Sequence, residues 1–412
     1  MADSLVRKTL LIIGAGIEGV EGIKVAHAMG LRLVVADGNP QAPGFAWADH
    51  TLVLSTYDAD GLAAAAIQLR DEGTVIDGVI AMCADVPVSV AKIKEALGLP
   101  GLSLESAHWV ADKLLMKQRL KACGIPIPGF AAVSSVADMH VASAKLGLPM
   151  VIKPVDSRGA RGVLLLDMEE QFPEAFRLAQ KESPTGRVMV EEYLTGQQIS
   201  TETLIDDGHC FTLGFSDRNY EWLERTRPYM IENGGDAPSA LTEDEQRNVI
   251  ETVERAALAL NIHSGVAKGD MVLTPDGAKV IEIAGRLSGG YFSTTQIPLA
   301  TGVNFVEQAI LLALGFHLDP LTVTPKKWRA VAIRYLDLPA GTIAAISGES
   351  EARNQPGIEM LSLFFHPGDR LQALANHTQR AGFAIATGDN KTQAIARAQG
   401  ALARIRVSYV EE

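Results

Sequence analysis

Apolar positions in the first third of the chain come in short unbroken runs. Residues 9–13 form one such run, which ends in Gly14-Ala15-Gly16; a helical stretch follows to Met29. Residues 32–36 form a second run, closed by Asp37-Gly38-Asn39-Pro40. A strand at 51–54, a helix over 60–72 and a strand at 78–81 continue the alternation. Strands apolar on both faces and joined by helices predict a parallel, doubly wound sheet. Leu99-Pro100-Gly101-Leu102 reads as the exit from this unit.

The texture then changes. From about 106 to 144 the pattern is helix, Pro-punctuated turn, helix. Strand signals dominate from 150 to 213, with a helix at about 169–181, and a long helix spans 243–260. Two β-prone runs follow, 269–273 and 280–283, separated by Pro275-Asp276-Gly277, and they read as a hairpin. Residues 331–336 and 341–346 read as strands, and 392–407 as a closing amphipathic helix. The expected division is an N-terminal parallel α/β domain at 1–105, a central domain at 106–325 and a small C-terminal α+β domain at 326–412. A lid subdomain is expected at about 145–200. The fold class is α/β with α+β parts.

At 412 residues the chain has room for two or three domains. Its formal charge of −12 argues against nucleic acid or an anionic membrane as the main partner, since both attract basic surfaces. A nucleotide needs only a local basic cluster. Cys83, Cys123 and Cys210 show no metal-ligand spacing, which suits a reducing compartment. Met1-Ala2-Asp3-Ser4 runs through Arg7-Lys8 into the first strand without a secretory leader, and the alanine-rich run at 62–67 is too short to span a bilayer. The expectation is a cytoplasmic protein.

The hairpin carries the sharpest chemistry. Pairing its strands can set Asp270 beside Glu282, with Arg286 just beyond, and two hard oxygen ligands with an arginine suit Mg²⁺ on a nucleotide's phosphates. The bland alternative is a surface hairpin with a solvated acid on each strand. Lys153 ends a buried strand, where an ammonium wants an anion. The small-residue loop Asp156-Ser157-Arg158-Gly159-Ala160-Arg161-Gly162 can fold over phosphates, or be a flexible turn. Lys113 opens a helix that places Lys117 and Lys121 on its exposed face. Val188-Met189-Val190-Glu191-Glu192-Tyr193-Leu194 runs into a hinge at Gly196, where extended backbone can meet an adenine edge. Gly14-Ala15-Gly16-Ile17-Glu18-Gly19, with Asp37 after the next strand, has the form of a dinucleotide fingerprint. A tight turn needs those glycines in any case.

In this order the pieces resemble the ATP-grasp superfamily, over essentially the whole chain. The likeness is greatest to the branch of amino-acid ligases, the carbamoyl-phosphate synthase large chain and biotin carboxylase. The resemblance implies ATP and Mg²⁺ as cofactors, with Mn²⁺ as a substitute. Lys113 and Lys153 would contact ATP phosphates, and the loop with Ser157, Gly159 and Gly162 would close over them. Glu191, Glu192, Tyr193 and Leu194 would hold adenine, with Gln198 at the ribose. Asp270 and Glu282 would bind metal. Arg286 and Lys153 would be catalytic, Arg286 steadying the phosphoryl group. Two departures stand out. Gln198 replaces the family's ribose-binding glutamate, and Ala284 replaces the asparagine of the Glu-x-Asn metal step, so a second Mg²⁺ would rely on water or substrate oxygens.

The implied reaction is ATP-dependent carboxylate–amine ligation through an acyl phosphate, with small carboxylate and amine substrates and a homodimer as an open arrangement. The substrate pocket is expected between the hairpin, residues 286–291 and the long polar segment 216–239, with Arg225, Arg227, Tyr229 and Asp236. Three alternatives stay open: bicarbonate-activating or carbamoyl-phosphate-type chemistry, an NAD(P)-dependent oxidoreductase using Gly14, Gly16, Gly19 and Asp37, and a non-catalytic nucleotide-binding subunit.

Overall fold

The computed structural model describes Leu5 and residues 8–410. The reading of a missing leader rests on residues 1–4 and Arg7, which lie outside them. The N-terminal unit runs β1 (Thr9–Ile13), α1 (Val20–Ala28), β2 (Arg32–Asp37), β3 (His50–Val53), α2 (Ala59–Asp71), β4 (Gly78–Ala81) and α3 (Pro87–Leu97). Its four strands lie in the order β3-β2-β1-β4, all parallel. Every residue of β1 and β4 is buried, which is why both read as unbroken apolar runs. Gly14 takes φ +94°, and a Cβ there would lie 2.6 Å from the Ala84 Cβ, so the turn needs glycine whatever it binds.

Helices α4 (Leu104–Ala111) and α5 (Lys113–Ala122) lead out of this unit. Asp112 caps α5 by accepting the N–H groups of Leu114 and Leu115, each at 2.9 Å, which fixes Lys113 in the first turn. A separate small sheet follows. It is built from β5 (Phe130–Val133), β6 (Met150–Pro154), β7 (Leu164–Leu166) and β8 (Val188–Glu192), in the order β5-β8-β6-β7. Helices α6 (Val136–Leu146) and α7 (Phe172–Lys181) cover it, and Met139, Ile152, Leu164, Phe172 and Val190 form its own core. This small unit spans 130–192, where a lid subdomain is expected at about 145–200. The expected limits leave out β5, because Phe-Ala-Ala-Val is too short to signal a strand and gains that state by pairing with β8.

The rest of the chain builds one broad sheet and a second, three-stranded one. Strands β9 (Gln197–Asp206) and β10 (His209–Asn219), the short α8 (Leu223–Thr226) and β11 (Gly234–Ala237) lead to α9 (Glu243–Ala259). Then come the hairpin β12 (Gly265–Thr274) and β13 (Gly277–Ala284), followed by α10 (Ile297–Thr301) and α11 (Phe305–Ala313). The C-terminal part adds β14 (Ala330–Tyr335), β15 (Gly341–Ser347), α12 (Glu349–Arg353), β16 (Ile358–Leu363), β17 (Arg370–Leu371), β18 (Gly382–Gly388), α13 (Lys391–Leu402) and β19 (Arg406–Tyr409).

The sheet order β13-β12-β9-β10-β11-β14-β18-β16 runs through the boundary expected at 326. The seam is β11 on β14, riveted by a buried ion pair in which Arg334 Nη1 and Nη2 lie 2.6 and 3.2 Å from the two Asp236 oxygens. Gly-Gly-Asp-Ala carries no apolar alternation, so β11 was not visible in the pattern. The expected helix at 392–407 is also shortened. It stops at Leu402, and Val407 lies in β19, paired with Ile346.

Candidate active site

Strand pairing in the hairpin sets four side chains in a square. Asp270 lies opposite Glu282 and Lys268 opposite Ala284, and residues two apart on a strand share a face. A bulge after Asp270 leaves this pairing at the end of β13 that leads to Arg286. The Asp270 carboxylate meets Arg218 Nη1 at 2.7 Å and the Lys268 ammonium. Burial alone would raise its pKa; Arg218 and Lys268 outweigh burial and hold it well below the usual carboxylate range.

The other cations close in from separate elements. Lys113, at the start of α5, has its Nζ 3.2 Å from Glu282 Oε1 and donates to the Ser157 carbonyl at 2.8 Å. Arg286 Nη2 lies 3.7 Å from Asp85 Oδ2, and Arg158 Nε of the lid loop lies 3.3 Å from the same oxygen. For Arg286, burial works against the charge, and Asp85 and Glu282 more than offset it. The lid loop takes positive φ at Gly159 (65°), Ala160 (60°) and Gly162 (70°). Its Gly159 carbonyl accepts the His377 N–H at 2.9 Å, and the Arg158 guanidinium lies 5.5 Å from the Tyr57 ring centre. The loop therefore touches both the N-terminal unit and the C-terminal part.

Lys153 has a partner other than the expected one. Its ammonium pairs with Glu191, whose second oxygen lies 3.1 Å from Lys117 Nζ. Burial opposes ionisation of Glu191, and the two lysines reverse that and lower its pKa. This corrects one expectation. Lys117 is buried rather than on an exposed face, donating also to the Val280 carbonyl at 3.1 Å, and burial brings its pKa down to about 8. The Glu191 carboxylate, expected at adenine, is paired here with Lys153 and Lys117. Glu192 is engaged as well, accepting the Gly129 N–H at 3.2 Å. The Leu194 N–H has no hydrogen-bond partner among the described residues, so the hinge's open edge is Leu194. Next to it, Tyr193, Gln198, Arg218 and Tyr220 line one cavity.

Segment 216–239 holds less free arginine than its sequence promises. Arg225 pairs with Asp337 at 2.6 Å, and Arg227 with Asp167 at 2.6 Å and Glu224 at 2.9 Å, all toward the surface. Asp236 is consumed by Arg334. Asp37 accepts the N–H groups of Ala15 at 2.8 Å and Asn39 at 2.9 Å, so the feature that suggested a dinucleotide holds its own turn.

Several residues at the site escaped the sequence reading, Asp85, Glu202, Glu18 and Lys268 among them. Asp85 follows β4 at the C-terminal edge of a parallel sheet, and that position is the signal that could have found it. Glu202, wholly buried on β9, accepts the Ser288 N–H at 2.8 Å and the Ser293 hydroxyl at 2.6 Å. Burial pushes its carboxyl up to about 7 against those bonds. Glu18 Oε2 accepts the Gly290 N–H at 3.1 Å. Together Glu202 and Glu18 pin the 286–291 loop from the sheet and from the N-terminal unit.

Buried polar atoms without a hydrogen-bond partner gather at this site: Asp85 Oδ1, Ser157 Oγ, Arg286 Nε and Ser288 Oγ. Such atoms are uncommon in folded proteins and mark places where a ligand completes the set. The cations and the hydroxyls suit a polyphosphate, and Asp270 with Glu282 suit a hard cation. Among the described residues no group of three or more His, Cys, Asp or Glu side chains is placed to hold a metal, so an ion here would draw its other ligands from water and phosphate. No helix among them is long and apolar enough to cross a membrane.

Comparison with known proteins gives three matching domain models. An ATP-grasp N-terminal domain matches residues 23–101, an ATP-grasp domain 110–290 and an L-amino acid ligase C-terminal domain 2 residues 334–410. An uncharacterized protein of Sinorhizobium fredii is 24% identical over 400 residues, which are 95% of this chain and 81% of that one. The L-arginine-specific L-amino acid ligase of Bacillus subtilis is 24% identical over 332 residues, 78% of each chain. The crystal structure of an L-amino acid ligase from Bacillus licheniformis superposes with a TM-score of 0.83 at 22% identity, covering 98% of this chain and 99% of that one.

Proposed function

We propose that this chain, which belongs to the ATP-grasp superfamily, is an ATP-dependent ligase that joins a small carboxylic acid, an amino acid foremost, to an amine. The observation that carries this reading is the opposed pair Asp270–Glu282, with Lys113 on Glu282 and Arg286 at the strand end. The ligase-type C-terminal domain and the B. subtilis and B. licheniformis relatives favour an amine as acceptor over bicarbonate chemistry.

A free carboxylate is a poor electrophile, because its oxygen is no leaving group. Attack of that oxygen on the γ-phosphorus of ATP gives an acyl phosphate and ADP. The amine then attacks the acyl carbon, and inorganic phosphate leaves. This chemistry asks the protein for positioning and charge neutralisation rather than a covalent nucleophile. Lys113 and Lys153 would contact the phosphates, with Ser157 and the Gly159–Gly162 loop folded over them. The Leu194 backbone would meet the adenine edge, and Gln198 the ribose. Arg286, fixed by Asp85, would hold the transferred phosphoryl group with a planar fork that a lysine lacks. Asp270 and Glu282 are the residues that would hold Mg²⁺, which when bound neutralises phosphate charge. We place the enzyme in the cytoplasm, where ATP is plentiful, and a homodimer is compatible with this reading.

The test is a panel of carboxylates and amines scored for ADP and phosphate. Release of both that depends on an acid–amine pair supports the reading. ATP binding without turnover across the panel counts for a non-catalytic subunit, and turnover with bicarbonate alone counts for a carboxylase.

A further inference from the structure

We propose that Lys268 takes the place of a second metal ion, so that this site works with one divalent cation and one built-in ammonium. The inference rests on the ATP reading above. It starts from the square of side chains on the hairpin. The position that carries asparagine in the family's metal step is Ala284, which has no ligating atom, and the residue opposite it in the ladder is Lys268. The Lys268 ammonium contacts the Asp270 carboxylate and has no other acidic partner among the described residues. Arg218, the other cation on Asp270, divides its charge with Glu232, whose Oε2 lies 2.5 Å from Arg218 Nη2.

The position without a ligating atom and the cation face each other across the ladder. A second dication beside Lys268 would meet a like charge at short range and would have only water, phosphate and a shared Asp270 for ligands. Among the described residues no third carboxylate is grouped with Asp270 and Glu282 to offset that repulsion. An ammonium at the same spot supplies positive charge to the phosphates without needing to be loaded. Lys268 has 15% of its side chain exposed, so its charge is poorly screened from the site.

The experiment is an equilibrium Mn²⁺ titration of the full chain with a non-hydrolysable ATP analogue. Free Mn²⁺ is followed by electron paramagnetic resonance and bound analogue is measured in the same samples. The wild-type chain is expected to take up one Mn²⁺ per analogue. Lys268→Met, which removes the competing charge and keeps the stem, is expected to bind Mn²⁺ at least several-fold more tightly. Two Mn²⁺ per analogue in the wild type overturns the inference and leaves the ATP reading standing. Unchanged Mn²⁺ affinity in a folded Lys268→Met chain overturns it too, since a merely packed lysine would behave that way. If no analogue binds at any Mn²⁺ concentration, the ATP reading itself falls and takes this inference with it.

Discussion

Lys153, on β6, and Glu191, on β8, form a buried ion pair at diagonal positions of the lid sheet. Removing one partner of such a pair strands the other charge, which costs about 3–5 kcal/mol. Glu191→Gln leaves both Lys153 and Lys117 without their acid, so its stability in urea should fall by about that much. Lys153→Met leaves Glu191 still paired with Lys117 and should cost less. Its main effect should be a raised ATP KM and a kcat lower by orders of magnitude. Equal stability losses in the two variants would show that the pair, and not the cluster of three, is the unit.

Glu282→Gln removes a charge with little change in volume. ADP release should be nearly abolished while the far-ultraviolet circular dichroism and the melting temperature stay close to wild type. Near-normal turnover would remove the hairpin as the metal site.

The buried Glu202 predicts a pH dependence of stability. Its folded pKa, about 7, lies above its ordinary value of 4.5, so the folded chain holds the proton more tightly. Its stabilising contribution is complete below about pH 4.5 and is lost as pH rises through about 7. Glu202→Gln has no such proton. Between those values the melting temperature of the wild type should fall relative to Glu202→Gln; parallel curves would mean that the carboxyl does not titrate there.

The lid loop should respond to nucleotide. A non-hydrolysable ATP analogue should slow proteolytic cleavage near Gly159–Gly162. Asp85→Asn weakens the hold on both Arg158 and Arg286, and should speed that cleavage and lower kcat together. A loop cut at the same rate with and without nucleotide would refute its role as lid.

The parallel N-terminal sheet was legible because strands buried on both faces leave unbroken apolar runs. The hairpin was legible because a Pro-Asp-Gly turn separates two apolar β-prone runs, but the facing of Asp270 and Glu282 also takes the bulge after Asp270, which the turn does not show. What lay hidden depends on contacts between distant segments. Gly234–Ala237 becomes a strand only between β10 and β14, and Lys117 looks like a surface lysine until Glu191 arrives from β8. Asp85 sits in a loop with no motif around it, yet it joins the lid arginine to Arg286. Lys268 was passed over because its meaning comes from the residue opposite, and register is not visible one strand at a time.

The central claim is that the substrate's own oxygen passes to phosphate. A carboxylate substrate labelled with ¹⁸O in both oxygens, run to amide product with ATP, gives the most direct measurement. One label atom should appear in each inorganic phosphate released, with ADP accumulating in step with the amide. Label in AMP would mean adenylation, and unlabelled phosphate alongside good amide yield would contradict the acyl-phosphate route even with ATP bound in this site.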